Sequence, residues 1–151
     1  MRIHRPEPAS AGRQAEWIAA MEPWLSLGYQ PAGLARYLRR MARAKQVLIA
    51  VEKGHVLGVI VYQPDVLLGH FIALLAVRPT AAGRGIGRTL VARIEQKTFK
   101  TRRWLYVSSD SVNQAAAGFY KNLGFARAAR LPGLIADDRT EILWRKPRPA
   151  G

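Results

Sequence analysis

The sequence predicts an α/β fold in one domain, and three observations carry that reading. Stretches with strand character alternate with stretches of helical spacing along all 151 residues, a length that buries a proper core as one unit. Residues 71–77 are apolar at every position, as in a strand covered on both faces. Pro79 ends that run. Three glycines on alternate positions, Gly83, Gly85 and Gly87, then lead into Ile86, Leu90, Val91 and Ile94 at helical spacing.

The remaining elements follow from local signals. Residues 2–5 read as a short first strand. Residues 10–21 read as a helix with Ala11, Ala15, Ile18 and Ala19 on one face. Pro23 and Gly28 break the chain around 24–27. Pro31 suits the first turn of a second helix carrying Leu34, Tyr37, Leu38 and Met41. Residues 46–52 and 56–62 have strand patterns, joined by a Lys53-Gly54 hairpin turn. Pro64 and Gly69 bracket a looser turn into the central strand. The glycine-rich turn opens a helix over 84–97, and 104–107 is a short strand. Ser111 or Asn113 caps the next helix and Gly124 closes it. Residues 125–129 and 140–144 are two further strands, flanking a loop at 131–139 that holds Pro132 and Gly133. Residues 147–151 read as a frayed tail. The order is β-α-α-β-β-β-α-β-α-β-β, with no internal repeat, linker or low-complexity segment.

Composition narrows the classes. The formal charge is +14, enough to attract nucleic acid, an anionic membrane surface or an anionic cofactor. The positive residues are scattered, with short clusters at 36–45, 97–103 and 145–148. No helix-turn-helix, zinc finger or RNA-binding signature accompanies them, which favours a solvated basic surface over nucleic-acid binding. There is no cysteine, so no disulfide, thiolate metal site or cysteine nucleophile. No apolar run is long enough to span a membrane, and residues 1–6 lack the apolar core and cleavage site of a signal peptide. The expectation is a cytoplasmic protein with no membrane partner and no metal.

The glycine-rich turn carries the chemistry. A helix N-terminus presents free backbone N–H groups and a partial positive charge, and glycines let that backbone approach a ligand with no Cβ in the way. Such a turn cradles phosphate, with Arg84 and Arg88 near enough to add charge. It is not a Walker loop, because Arg88 and Thr89 follow Gly87 where Lys and Ser/Thr are required. A dinucleotide fingerprint fails in both registers, ending on Arg88 or Leu90 instead of glycine.

The segment Ala82-Gly83-Arg84-Gly85-Ile86-Gly87 fills the register Gln/Arg-x-x-Gly-x-Gly/Ala, and Asn113-Gln114-Ala115-Ala116-Ala117-Gly118-Phe119-Tyr120-Lys121-Asn122-Leu123-Gly124-Phe125 fills Asn-x-x-Ala-x-x-Phe-Tyr-x-x-x-Gly-Phe. In both motifs, their order and their separation, the chain resembles the GNAT superfamily of N-acetyltransferases, most sharply over 71–125. It departs at Ala82, where the family prefers Gln or Arg. The resemblance implies the GNAT fold, a mixed and mostly antiparallel central sheet flanked by helices, and acetyl-CoA as acetyl donor. It assigns Leu75, Ala76 and Val77 to backbone pairing with the pantetheine arm. The pyrophosphate falls to Ala82, Gly83, Arg84, Gly85, Ile86, Gly87 and Arg88.

Asn113, Ala116, Ala117 and Tyr120 share one helical stripe by spacing. Asn113 and Ala116 are accordingly expected along the cofactor arm, with Tyr120 as the acid facing the leaving sulfur. The family builds its acceptor side from the first helix pair, making Trp17, Trp24, Tyr29 and Tyr37 candidates there. The base is open, because the glutamate many members carry on the central strand is absent from 71–77. His70, Glu22, Asp137, Asp138 and Glu141 are the alternatives, and Asp137, Asp138 and Glu141 can also attract a cationic amine. The expected acceptor is a small-molecule amine or a peptide N-terminus, and family members often form homodimers. Two other readings stand beside this one: a non-catalytic acyl-CoA-binding member, and a basic nucleic-acid-binding domain.

Overall fold

Strands and helices follow in the predicted order in the computed structural model, which describes all residues Met1–Gly151. They are β1 (Arg2–His4), α1 (Ala11–Ala19), α2 (Pro31–Arg43), β2 (Val47–Glu52), β3 (His55–Val66), β4 (Gly69–Val77), α3 (Ile86–Thr98), β5 (Trp104–Asp110), α4 (Gln114–Asn122), β6 (Ala126–Pro132) and β7 (Thr140–Pro147). The strands form one mixed sheet in the order β1-β2-β3-β4-β5-β7-β6. No helix is long and apolar enough to cross a membrane. By its contacts the chain divides into two units, Met1–Tyr62 with Leu74–Arg93 and Gln63–Ala73 with Ile94–Gly151.

In the first unit, β1 and β3 pair antiparallel to either side of β2. The helices α1 and α2 bury the predicted faces, Ala15 and Ile18 on one and Leu34, Leu38 and Met41 on the other. The start of α3 packs hard on β3. A Cβ on Gly58 would stand 2.9 Å from Ile86 Cγ2 and 3.0 Å from Leu90 Cδ1, so only glycine lets that helix close on the strand. Ile86, Leu90 and Val91 are essentially inaccessible.

In the second unit, β4 pairs parallel with β5 from Gly69↔Trp104 to Ile72↔Val107. β7 lies antiparallel between β5 and β6. The outer strand β6 is exposed and carries Arg127 and Arg130, a charged edge of the kind that resists further strand pairing.

Several boundaries differ from expectation, each for a local reason. The turn before β4 is Leu67-Leu68, with φ of 46° and 63°, and β3 continues through Pro64 to Val66. A two-residue hairpin with both centres left-handed normally announces itself with Asn-Gly or Asp-Gly; two leucines give no such signal. Tyr106 Oη donates to the Leu67 carbonyl at 3.0 Å and fixes the turn. β4 therefore begins at Gly69, and His70, its second residue, is buried. Nor is β4 covered on both faces. Ile72, Leu74 and Ala76 are buried, whereas Phe71, Ala73, Leu75 and Val77 are half-exposed. β5, β6 and β7 each run longer than predicted, so Leu131 and Pro132 belong to β6, Pro147 to β7, and the tail starts at 148.

Candidate active site

After β4 the chain makes a 3-10 turn at Pro79–Ala81 and reaches Ala82 in an extended conformation. Gly83 and Gly85 then adopt φ of 79° and 78°, a region that costs an L side chain about 1–2 kcal/mol. A Cβ built on either would meet nothing within 4 Å. Conformation, not crowding, demands glycine here, and the space beside the backbone is open. Ala81 and Ala82 donate back to Arg78 and Pro79, and the first bond returned into α3 is Thr89 N–H to the Gly85 carbonyl at 3.0 Å. Between them the N–H groups of Gly83, Arg84, Gly85, Ile86, Gly87 and Arg88 have no protein acceptor. Such a run at the positive end of a helix dipole fits a multiply charged phosphate.

The turn is held from below. Arg78 N–H donates to the Leu57 carbonyl at 2.8 Å and Arg78 Nε to the Val56 carbonyl at 2.6 Å. Its guanidinium stacks 4.8 Å from the centre of the Trp17 ring, whose Nε1 donates to Gln14 Oε1 at 2.8 Å. Arg84 turns to β2, where Nη2 meets Glu52 Oε2 at 2.6 Å. The Arg84 hydrogen bond holds the Glu52 carboxyl below its ordinary pKa.

In the second unit, Asn113 caps α4, its Oδ1 accepting from Ala116 N–H at 3.0 Å. One of the two groups that the side chain could turn to a ligand is thereby committed to the helix. Tyr120 is buried between Phe119 and Phe125, both in edge-to-face contact, at 5.2 and 5.7 Å between ring centres. Burial, reinforced by the nearby Glu141 carboxylate, raises the pKa of its phenol well beyond the usual tyrosine value. The hydroxyl is a firm donor at any working pH.

Glu141 is the buried carboxylate of this unit. On β7 it lies opposite Asp110 of β5 in the pairing register, and Ser108 Oγ donates to Glu141 Oε1 at 3.1 Å. Burial raises its pKa; the Ser108 bond opposes the rise, Asp110 adds to it, and Arg139 opposes it. Arg139 Nη1 is itself paired with Asp110 Oδ2 at 3.1 Å.

The other candidates separate by burial and partners. His70 is buried in β4 with a lowered pKa, first from burial and then from the balance of Gly69, Arg102, Asp65 and Lys97 around it. Asp137 and Asp138 are exposed in the β6–β7 loop. Glu22 accepts from Ser26 N–H at 2.9 Å and from Ser26 Oγ, closing the turn after α1. In that segment Tyr29 is exposed and Trp24 half-buried.

The family model described as the acetyltransferase (GNAT) family matches residues 10–125. The chain belongs to that family. Among solved structures, this GNAT chain is similar to an aminoglycoside 6'-N-acetyltransferase complexed with coenzyme A, at TM-score 0.83 and 16% identity over 100% of this chain and 99% of that one. It is similar to Ard1 from Thermoplasma volcanium, at TM-score 0.82 and 20% identity over 99% and 98%. A ribosomal-protein-alanine N-acetyltransferase from Brucella melitensis matches at TM-score 0.78 and 18% identity over 97% and 99%. At these identities the likeness is one of fold.

The structure sets two residues apart. Arg78 clamps the turn through the Val56 and Leu57 carbonyls, and its position before Pro79 is the sequence signal for it. Glu141 stood among several carboxylates of equal standing. Alternation along β7, with Ile142 and Trp144 on one face, could have marked it as the inward residue of the other.

Proposed function

We propose that this GNAT protein transfers an acetyl group from acetyl-CoA to a primary amine by direct attack in a ternary complex. The observation that carries the proposal is the run of six unpaired N–H groups from Gly83 to Arg88, beside two left-handed glycines whose missing Cβ atoms leave open space. Those amides hold the pyrophosphate, with Arg88 adding charge. The main chain of Leu75, Ala76 and Val77 pairs with the pantetheine amides, and the half-exposed side of β4 gives the arm an apolar wall. Asn113 and Ala116 border the arm on α4.

In the reaction the amine nitrogen attacks the thioester carbonyl carbon. The tetrahedral oxyanion collapses, the carbon–sulfur bond breaks, and an amide and a thiol result. The amine must first lose a proton, because an alkylammonium of pKa about 10.4 is neutral in only roughly one molecule per thousand at neutral pH. Glu141 takes that proton. A carboxylate with an upward-shifted pKa is a better base than a solvated one, which sets Glu141 ahead of Asp137 and Asp138, whose part is to attract the cationic acceptor from the loop. Tyr120 donates to the sulfur as charge builds there. A free thiol, at about 8.5, is already more acidic than a free tyrosine, at about 10, so complete transfer is uphill by about 2 kcal/mol. Burial raises the Tyr120 phenol further, which makes complete transfer harder still, and the proton moves late.

The acceptor class is a small amine or a peptide N-terminus, met on the side of Trp24 and Tyr29. Release of thiol over a panel of amines, read with a thiol reagent, tests the proposal. Acetyl-CoA binding without thiol release on any amine would leave a non-catalytic acyl-CoA-binding protein instead.

A further inference from the structure

The helix α2 carries arginines at 36, 39, 40 and 43 and no carboxylate. Spacings of three, four and seven residues put them on one stripe rising about 10 Å along the axis. Arg36, Arg40 and Arg43 are exposed and Arg39 is half-exposed, whereas Leu34, Ala35, Leu38 and Met41 on the opposite side are buried. None of the four guanidiniums meets a carboxylate, although Arg84, Arg102, Arg139 and Lys146 each do. Tyr37 lies in the same patch, with the Arg40 guanidinium 5.8 Å from its ring centre. Together with Gly33 these residues line a surface depression of about 620 Å³.

Like charges three and four apart destabilise a helix unless something neutralises them. A stripe of about 10 Å covers about three intervals of 3.4 Å along a duplex axis, and so roughly four phosphates of one strand. A membrane anchor would need apolar residues free beside the basic ones, and here the apolar face of α2 is buried. An acidic peptide would match the stripe alone, but the charge of +14 on the whole chain favours a long polyanion drawn by the wider field. Clusters scattered in sequence argue for a merely solvated surface; four arginines gathered on one unpaired stripe do not. We propose that the arginine face of α2 binds the phosphodiester backbone of nucleic acid without reading its sequence. Phosphate contacts position a protein on the backbone and carry no sequence information themselves.

The test is fluorescence anisotropy of the full chain with a labelled duplex DNA of about 20 base pairs and a single-stranded RNA of similar length, against labelled polyglutamate and phosphatidylserine vesicles. Four phosphate contacts give the duplex a log–log salt slope of about −3.6, so affinity falls about 150-fold between 50 and 200 mM salt. Replacing the four together, Arg36→Gln, Arg39→Gln, Arg40→Gln and Arg43→Gln, removes most of that slope. The same four changed to Lys retain it, and circular dichroism verifies that both variants fold. A matched loss of four charges elsewhere, Lys100→Gln, Arg127→Gln, Arg130→Gln and Arg148→Gln, leaves most of it. DNA and RNA binding of similar strength indicates the shared backbone; preference for one names the source. Equal loss in the matched control, no binding at 50 mM salt, or tighter binding of polyglutamate or vesicles would overturn the proposal.

Discussion

Replacing Gly85 with alanine separates the turn's conformation from its proposed task. At φ 78° an alanine costs about 1–2 kcal/mol. The chain has 151 residues, so its unfolding entropy is about 0.3 kcal/mol/K and Tm falls by about 3–6 °C. No packing cost adds to this, because the new Cβ meets nothing within 4 Å. That same methyl group stands where the phosphate is proposed to sit. Losing even one charge-assisted hydrogen bond, at about 1.5–3 kcal/mol, weakens acetyl-CoA roughly 10- to 150-fold. Differential scanning fluorimetry reads the first effect and isothermal titration calorimetry the second. A lowered Tm with unchanged affinity would refute the cradle; an unchanged Tm would refute the conformational argument.

Further outcomes follow from the same geometry. Tyr120→Phe lowers turnover by about 10²-fold or more and leaves acetyl-CoA affinity within about twofold; wild-type turnover would remove Tyr120 from the mechanism. The raised pKa of Glu141 means that its folded-state protonation favours stability at low pH, a contribution lost as pH rises through the folded value. Glu141→Gln therefore gains Tm relative to wild type as pH rises from the ordinary carboxylate range through the raised folded value, and the acid limb of its kcat/KM profile disappears; a flat Tm difference contradicts the burial argument. Asn113→Ala, which deletes the α4 cap, costs about 1 kcal/mol by denaturant titration. Gly12→Ala, in α1 with no atom within 4 Å of the new Cβ, adds about 0.4–1 kcal/mol.

The element order and the identity of the turn were legible because their signals are local. Gly83 and Gly85 sit where left-handed backbone requires them, Asn113 where a helix needs a cap, and Ile86, Leu90, Val91 and Ile94 at one helical spacing. What sequence could not supply depends on partners far along the chain. The Leu67-Leu68 turn is fixed by Tyr106, thirty-nine residues from Leu67, so no local composition marks it or the burial of His70 just beyond it. Glu141 differs from Asp137 and Asp138 only through strand pairing with β5 and the bond from Ser108. Arg84 reads as a free phosphate ligand until Glu52, thirty-two residues earlier, is seen to hold it. The four arginines of α2 read as a scattered cluster until the helix aligns them.

The most direct test of the central claim is amide spectroscopy of ¹⁵N-labelled protein titrated with acetyl-CoA. The N–H signals of Gly83 to Arg88 are predicted to show the largest shifts in the chain, moving downfield as each gains an anionic acceptor, with Gly85→Ala moving the titration to roughly 10- to 150-fold higher acetyl-CoA. Saturable binding that leaves those six signals in place would contradict it.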